Sequence, residues 1–194
     1  MRYVSLLGLG LVFGASVLSG GCATISKDDC LAGNWAERGL KDGRNGKSRS
    51  RLSEYKDKCA KHSAVVDHTT YLREYERGLV SYCVYDKGYD KAASGGSYNS
   101  VCNGPLAPDY TAGYEDGKEF YQIKQGHSRL IDNYDETLDD IITIRIKLDN
   151  PEVDDKEYRR LEKKLLRLQD RRAALRRDIR DYERDFDLPR YNFN

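Results

Sequence analysis

Trp35-Ala-Glu-Arg-Gly39-Leu-Lys-Asp-Gly43, Tyr71-Leu-Arg-Glu-Tyr75-Glu-Arg-Gly78 and Tyr110-Thr-Ala-Gly113-Tyr114-Glu-Asp-Gly117 are three variants of one pattern, a large ring followed at helical spacing by glycines. A helix turns once in 3.6 residues, so positions four, seven or eight, and eleven apart share a face. Trp35, Gly39, Gly43 and Gly46 therefore align, as do Tyr71, Tyr75, Gly78 and Tyr82, and Tyr110, Tyr114, Gly117 and Tyr121. Each interior glycine costs a helix about 1 kcal/mol relative to alanine. Close approach of a second helix against the rings would offset that cost. Asp42-Gly43 and Asp116-Gly117 also read as turn signals. Both readings stay open at Gly43, where Asn45-Gly46 follows at once, whereas the apolar periodicity running past Gly117 favours helix there.

Around these faces lie the cysteines, and they suggest how the pieces are joined. Of the five, Cys22 belongs to an export signal, which leaves Cys30, Cys59, Cys83 and Cys102. An even number in an exported chain reads as two disulfides, and four cysteines permit three pairings. Spacing alone does not choose between them. If residues 31–43 and 50–60 form an antiparallel helix pair, Cys30 and Cys59 come to the same end. Cys83 then closes the next helix, and Cys102 ends the glycine-rich loop after it. The expected links are Cys30–Cys59 and Cys83–Cys102, each stabilising by about 3 to 4 kcal/mol on a loop-entropy argument.

The order Trp35, Gly39, Asp42-Gly43, Gly46, Cys59, Tyr71, Gly78-Leu79, Tyr82-Cys83, Gly88, Gly95, Tyr98, Cys102, Tyr110, Tyr114 and Gly117 resembles the bacterial lipoprotein family filed as domain of unknown function 2799. The resemblance covers roughly residues 30 to 117, and a lipid anchor before it and a coiled-coil tail after it are also typical of the family. It brings no established activity, so it implies no catalytic residue.

The first residues carry an address. Met1-Arg2 gives a positive start, Val4 to Leu18 an apolar run, and Leu18-Ser-Gly-Gly-Cys22 a small-residue cleavage site. The run is short for a bilayer span, which needs roughly 20 residues, and suits a signal segment. Cys22 resembles the modified cysteine of bacterial lipoproteins, carrying diacylglycerol and an N-acyl chain such as palmitate. Ser19 departs from the usual aliphatic residue. Ala23, next to the cysteine, resembles the outer-membrane sorting signal.

From Asp109 to about Leu148 the pattern is helical, with Ile131, Tyr134, Leu138, Ile141, Arg145 and Leu148 in steps of three and four. After Asn150-Pro151 the set Tyr158, Leu161, Leu165, Leu168, Arg172, Leu175, Ile179, Tyr182 and Phe186 does the same. Asp154 to Glu157 makes a capping-box-like start. This periodicity predicts an antiparallel coiled-coil hairpin. The expected class is mainly α: a small disulfide-linked helical module followed by a long helical hairpin. Its parts are a signal segment 1–21, a lipidated tether 22–29, the Cys/Gly/Tyr-rich domain 30–117, the hairpin 118–187 and a tail 188–194. Within the module, helices are expected at 31–43, 50–61 and 67–83, the last capped by Asp67. The span Val84 to Pro108 reads as an irregular loop or small hairpin held by its disulfide. Ile142 to Leu148 also alternates like a strand, but the longer window keeps it helical. Acidic Asp132, Asp135, Glu136, Asp139 and Asp140 face basic Lys163, Lys164, Arg167, Arg171 and Arg172 across the turn, a match expected to fix the register.

Signals of chemistry are sparse. Charged residues form 34% of the 194 and the net charge is +1, which gives no whole-chain attraction for nucleic acid. Gly43-Arg-Asn-Gly46-Lys47-Ser48 fails as a phosphate loop because Lys41 stands where the first glycine is needed, so no nucleotide is expected. No CxxC pair is present, and His62, His68 and His127 are scattered, so neither metal nor other cofactor is expected. The basic run from Arg159 to Arg180 reads first as a salt-bridged coiled-coil face and second as a phosphate-binding one. Most of the 15 tyrosines fall on packing faces. Tyr85, Tyr89 and Tyr98, assigned to the loop, are the candidate contact surface. These features point to a non-enzymatic, periplasm-facing outer-membrane lipoprotein that acts as a scaffold or docks an envelope protein. The alternative is a glycan or lipopolysaccharide binder using the loop tyrosines and the basic hairpin face.

Overall fold

The computed structural model describes residues 25–193; the expected signal segment, Cys22 and the start of the expected tether lie outside them. Among the described residues the chain is helical with no strand. The helices are α1 (Lys27–Ala32), α2 (Trp35–Arg44), α3 (Arg51–Ala60), α4 (His68–Tyr82), α5 (Tyr85–Ala93), α6 (Ala107–Leu148) and α7 (Asp155–Asp185), with a 3-10 turn at Gly104–Leu106 before α6. A small disulfide-linked module leads into a long hairpin. The 42-residue α6 serves both parts, running about 63 Å at 1.5 Å per residue.

The helix expected at 31–43 is two helices. Gly33 takes a left-handed φ of 62° and ends α1, whose capping box joins Ser26 and Asp29. Its chief partner also differs from the expected one: α2 lies closely along α4 rather than α3. Both α2 and α4 run in the same direction, because Gly39 meets Tyr71, Gly43 meets Tyr75 and Gly46 meets Tyr82. Gly43 is thus a helical notch, not a turn. A Cβ on it would fall onto the Tyr75 carbonyl oxygen and lie 2.9 Å from Gly78 Cα.

The span read as a loop contains a second notched pair. Residues Tyr85–Ala93 form α5, which runs parallel to the start of α6: Gly113 meets Tyr85, Gly117 meets Tyr89 and Gly88 meets Tyr110. The two pairs are copies of one unit. Gly39, Gly43 and Gly46 correspond at one constant offset to Gly88, Ala92 and Gly95, while Tyr71, Tyr75, Gly78 and Tyr82 correspond at another to Tyr110, Tyr114, Gly117 and Tyr121. Gly46 and Gly95 each lie under a ring, those of Tyr82 and Tyr121. The copies have diverged at the buried acids, for Asp42 and Glu74 align with Lys91 and Gly113.

The module core holds Trp35, Tyr55, Tyr71, Tyr75, Leu79 and Tyr110 with all four cystine sulfurs. Buried tyrosines are tolerated because their hydroxyls find acceptors. Tyr55 and Tyr71 donate to Asp42 Oδ2 at 2.7 and 2.9 Å, and Tyr75 donates to the Lys47 carbonyl at 2.6 Å. In the second copy Lys91 stands in place of Asp42, and the Tyr110 hydroxyl is buried without a hydrogen-bond partner among the described residues.

Within the hairpin, α7 starts where expected, with Asp154 accepting from the Lys156 and Glu157 amides. Its seam packs Leu161 and Leu168 against Ile141 and Ile144, and Tyr134, Thr137 and Ile179 are buried further from the turn. The α6 seam is turned slightly from the expected one, burying Ile144 and leaving Arg145 exposed. Helix runs through the strand-like stretch to Leu148. The facing charge blocks do not zip the hairpin: among the described residues no ion pair joins Asp132, Asp135, Glu136, Asp139 or Asp140 to α7. Apolar seam packing sets the register instead, consistent with the small worth of exposed pairs.

Residues 188–193 fold back over this seam. Phe193 lies edge-on to Tyr134 at 4.9 Å, under Arg176 and Arg180, and Tyr191 donates to Asp135. Glu183, 3% exposed, accepts from the Tyr191 amide, Arg180 and His127. Burial opposes its ionisation, but these three donors outweigh burial and hold its pKa below the ordinary 4.5. A carboxylate with a depressed folded-state pKa contributes stability that is complete above its unfolded pKa and lost as pH falls through the folded one. Tail docking is therefore expected to persist from neutrality to about pH 4.5 and to weaken below it. Hydrogen exchange at residues 188–193 measures this, and Glu183→Gln should release the tail at neutral pH.

Candidate functional site: an aromatic strip along α5 and α6

The structure separates the three candidate tyrosines. Tyr98 turns inward, donating to the Cys102 carbonyl at 3.0 Å and packing edge-on to Tyr110 and Tyr114, both at 5.2 Å. It is half-buried against the core, away from the row that Tyr85 and Tyr89 begin. Tyr85 and Tyr89 lie on helix α5 rather than on a loop. Helical spacing stacks their rings at 6.4 Å with planes 17° apart.

Phe120 extends the row from α6, its ring 6.0 Å from Tyr89. Sequence reasoning missed it, although it lies one turn beyond Gly117, the glycine that seats α6 against Tyr89. Lys124 Nζ sits 5.6 Å from the Phe120 centroid. At the other end Tyr85 donates to Asp116 Oδ2 at 2.7 Å, and this bond raises its phenol pKa. Tyr85 and Phe120 remain 42% and 38% exposed. The strip thus presents aromatic faces flanked by a cation and a carboxylate, a chemistry suited to stacking and to polar contacts at its rim.

The glycine notches determine this display. Because α6 approaches the α5 backbone at Gly113 and Gly117, side chains from both helices join one continuous row. The family comparison reaches the same part of the chain. Residues 34–119 match the family described as protein of unknown function (DUF2799). That matched segment spans both notched pairs and ends as α6 leaves them, so the repeat is what it encloses. No curated protein and no solved structure matches the chain.

The four site cysteines meet in pairs, Cys30 with Cys59 and Cys83 with Cys102. The first ties α1 to the end of α3. The second ties the end of α4 to the loop leading into α6, and so fastens one copy of the repeat to the other. Asp42 is a buried acid, but its donors come from its own fold, the Tyr55 and Tyr71 hydroxyls, and Arg51 Nε donates in turn to the Tyr55 hydroxyl at 3.0 Å. Burial together with Asp42 raises the pKa of both phenols, which keeps them protonated donors at neutral pH. Among the described residues no group of three His, Cys, Asp or Glu is placed to hold a metal ion, and no helix is long and apolar enough to cross a membrane.

Proposed function

We propose that the chain is an outer-membrane lipoprotein, acylated at Cys22 and facing the periplasm, that serves as a non-enzymatic scaffold or docking module for an envelope protein. The observation carrying this reading is the pair of buried disulfides fastening the module, which suits an oxidising compartment. The signal-like first residues support it. The long hairpin would hold a contact surface well away from an anchored end. Mass spectrometry of the N-terminal peptide with membrane fractionation tests it. The expected result is a triacylated Cys22 in the outer membrane, and a Cys22→Ala chain released to the soluble fraction. An unmodified wild-type Cys22 would remove the anchor.

The aromatic strip favours a second reading, binding of a glycan or lipopolysaccharide. Exposed stacked rings give sugar rings an apolar platform, and Lys124 offers a cation for acidic substituents. Titration with peptidoglycan fragments and with lipopolysaccharide separates the two ligands. Tyr85→Ala with Phe120→Ala is expected to weaken binding by about 5- to 150-fold, since each stacking ring contributes about 0.5 to 1.5 kcal/mol. Unchanged binding would dismiss the strip as the site.

A further inference from the structure

Folded structure begins close behind the proposed acylation site. Helix α1 starts inside the span 22–29 read as a tether, capped by Ser26, and Ile25, 8% exposed, already belongs to the module core. Only Ala23 and Thr24 separate Cys22 from that packed residue. Three links of chain span at most about 11 Å, however they are arranged. Acyl chains on Cys22 would hold that residue at the surface of its leaflet. The end of the module that contains Ile25 must then lie against the same leaflet.

Two aliphatic side chains are left uncovered at this end. Leu31 is 59% exposed and Val65 88% exposed. One disulfide brings them together: Leu31 follows Cys30, Cys30 is bonded to Cys59 with their Cα atoms 5.3 Å apart, and the Cys59 carbonyl accepts from the Ala64 amide, just before Val65, at 3.1 Å. Cys30, Cys59 and Val66 are buried in one cluster with Ile25, so the backbone under both exposed side chains is pinned. Nearby Lys27, Lys58 and Lys61 make no ion pair among the described residues, and neither do Asp28 and Asp57. Asp29 is engaged by Ser26 and Arg38, and Asp67 caps α4. Charge is thus nearly balanced here, and the aliphatics decide what this end meets. We propose that Leu31 and Val65 seat in the boundary between headgroups and acyl chains of the leaflet that anchors Cys22, so that the module stands on the membrane by its Cys30–Cys59 end. This rests on the acylation proposed above. The acyl chains supply the affinity, while the two aliphatics fix which surface faces the lipid. The Lys27 and Lys61 stems reach along that boundary with their ammonium groups at phosphate level.

Photocrosslinking of the full acylated chain in lipid discs of phosphatidylethanolamine and phosphatidylglycerol tests the assignment. p-Benzoylphenylalanine is placed singly at Leu31, Val65, Val80 or Ile146, all of them exposed, so the core is left intact. Val80 lies about 18 Å along α4 from His68, and Ile146 lies near the far end of α6. Mass spectrometry of each chain reads both the group on Cys22 and any phospholipid adduct. Positions 31 and 65 are expected to give at least fivefold more adduct than positions 80 and 146. On a chain whose Cys22 is acylated, adducts at 31 and 65 no more frequent than at 80 would overturn the docking and leave the anchor standing. An unmodified Cys22 would overturn both together.

Discussion

Replacing Gly43 with alanine is expected to destabilise the module by about 2 to 3 kcal/mol, although alanine is the better helix former by about 1 kcal/mol. The added methyl would lie far inside van der Waals contact of the Tyr75 carbonyl and 2.9 Å from both Gly78 Cα and Leu79 N. Those atoms are backbone in the middle of a packed helix and cannot rotate aside. Relief requires α2 and α4 to separate, which breaks the hydrogen bonds that Tyr71 gives Asp42 and Tyr75 gives the Lys47 carbonyl across that contact. For a chain of this length the melting temperature should fall by about 5 to 10 °C. Gly113→Ala should act alike in the second copy, since its methyl would meet the Tyr85 carbonyl. A neutral or raised melting temperature in both variants would show that the notches are not what seats the helices.

Opening both disulfides is expected to have the larger effect. Cys30–Cys59 and Cys83–Cys102 close spans of 29 and 19 residues, each contributing about 3 to 4 kcal/mol through the unfolded chain. Together this approaches the whole stability of a small domain, about 5 to 15 kcal/mol. A module whose core is largely tyrosine has little apolar surplus to cover the loss. Serine at all four positions should therefore unfold residues 30–106 at 37 °C, while the hairpin, packed on its own apolar seam, keeps its helical signal. Hydrogen exchange resolved by peptide measures both parts at once. Protection of the module equal to that of the oxidised chain would refute the assignment of its stability to the cross-links.

Much of this architecture was legible because it is written in local periodicity. The seam residues of α7 recur every three or four positions whatever they face, and Asp67 and Asp154 mark their helix starts by what their own side chains can reach. The α5 helix was not legible. Gly88, Gly95 and Gly96 read locally as loop, and what offsets the glycine at 88 is the Tyr110 carbonyl on another helix. The repeat was hidden for a related reason: its two halves are joined through α3 in one copy and through a non-helical loop in the other, so no single period runs along the chain. Tyr98 was misplaced because nothing in its neighbours says that its hydroxyl reaches Cys102 and Thr111. Phe120 entered the strip only through the notch at Gly117. The charge blocks were plain in sequence, yet complementary sign does not make contact, and packing left them apart.

The sequence by itself determined that the chain is helical, where α4 and α7 are capped and that a long hairpin follows the module, because helix propensity, capping and heptad spacing act between residues a few positions apart. Only the tertiary structure decided that α2 lies on α4 and α5 on α6, and hence which rings are core and which form the exposed strip. Those choices depend on a missing Cβ meeting a carbonyl on a distant helix, a contact with no local trace.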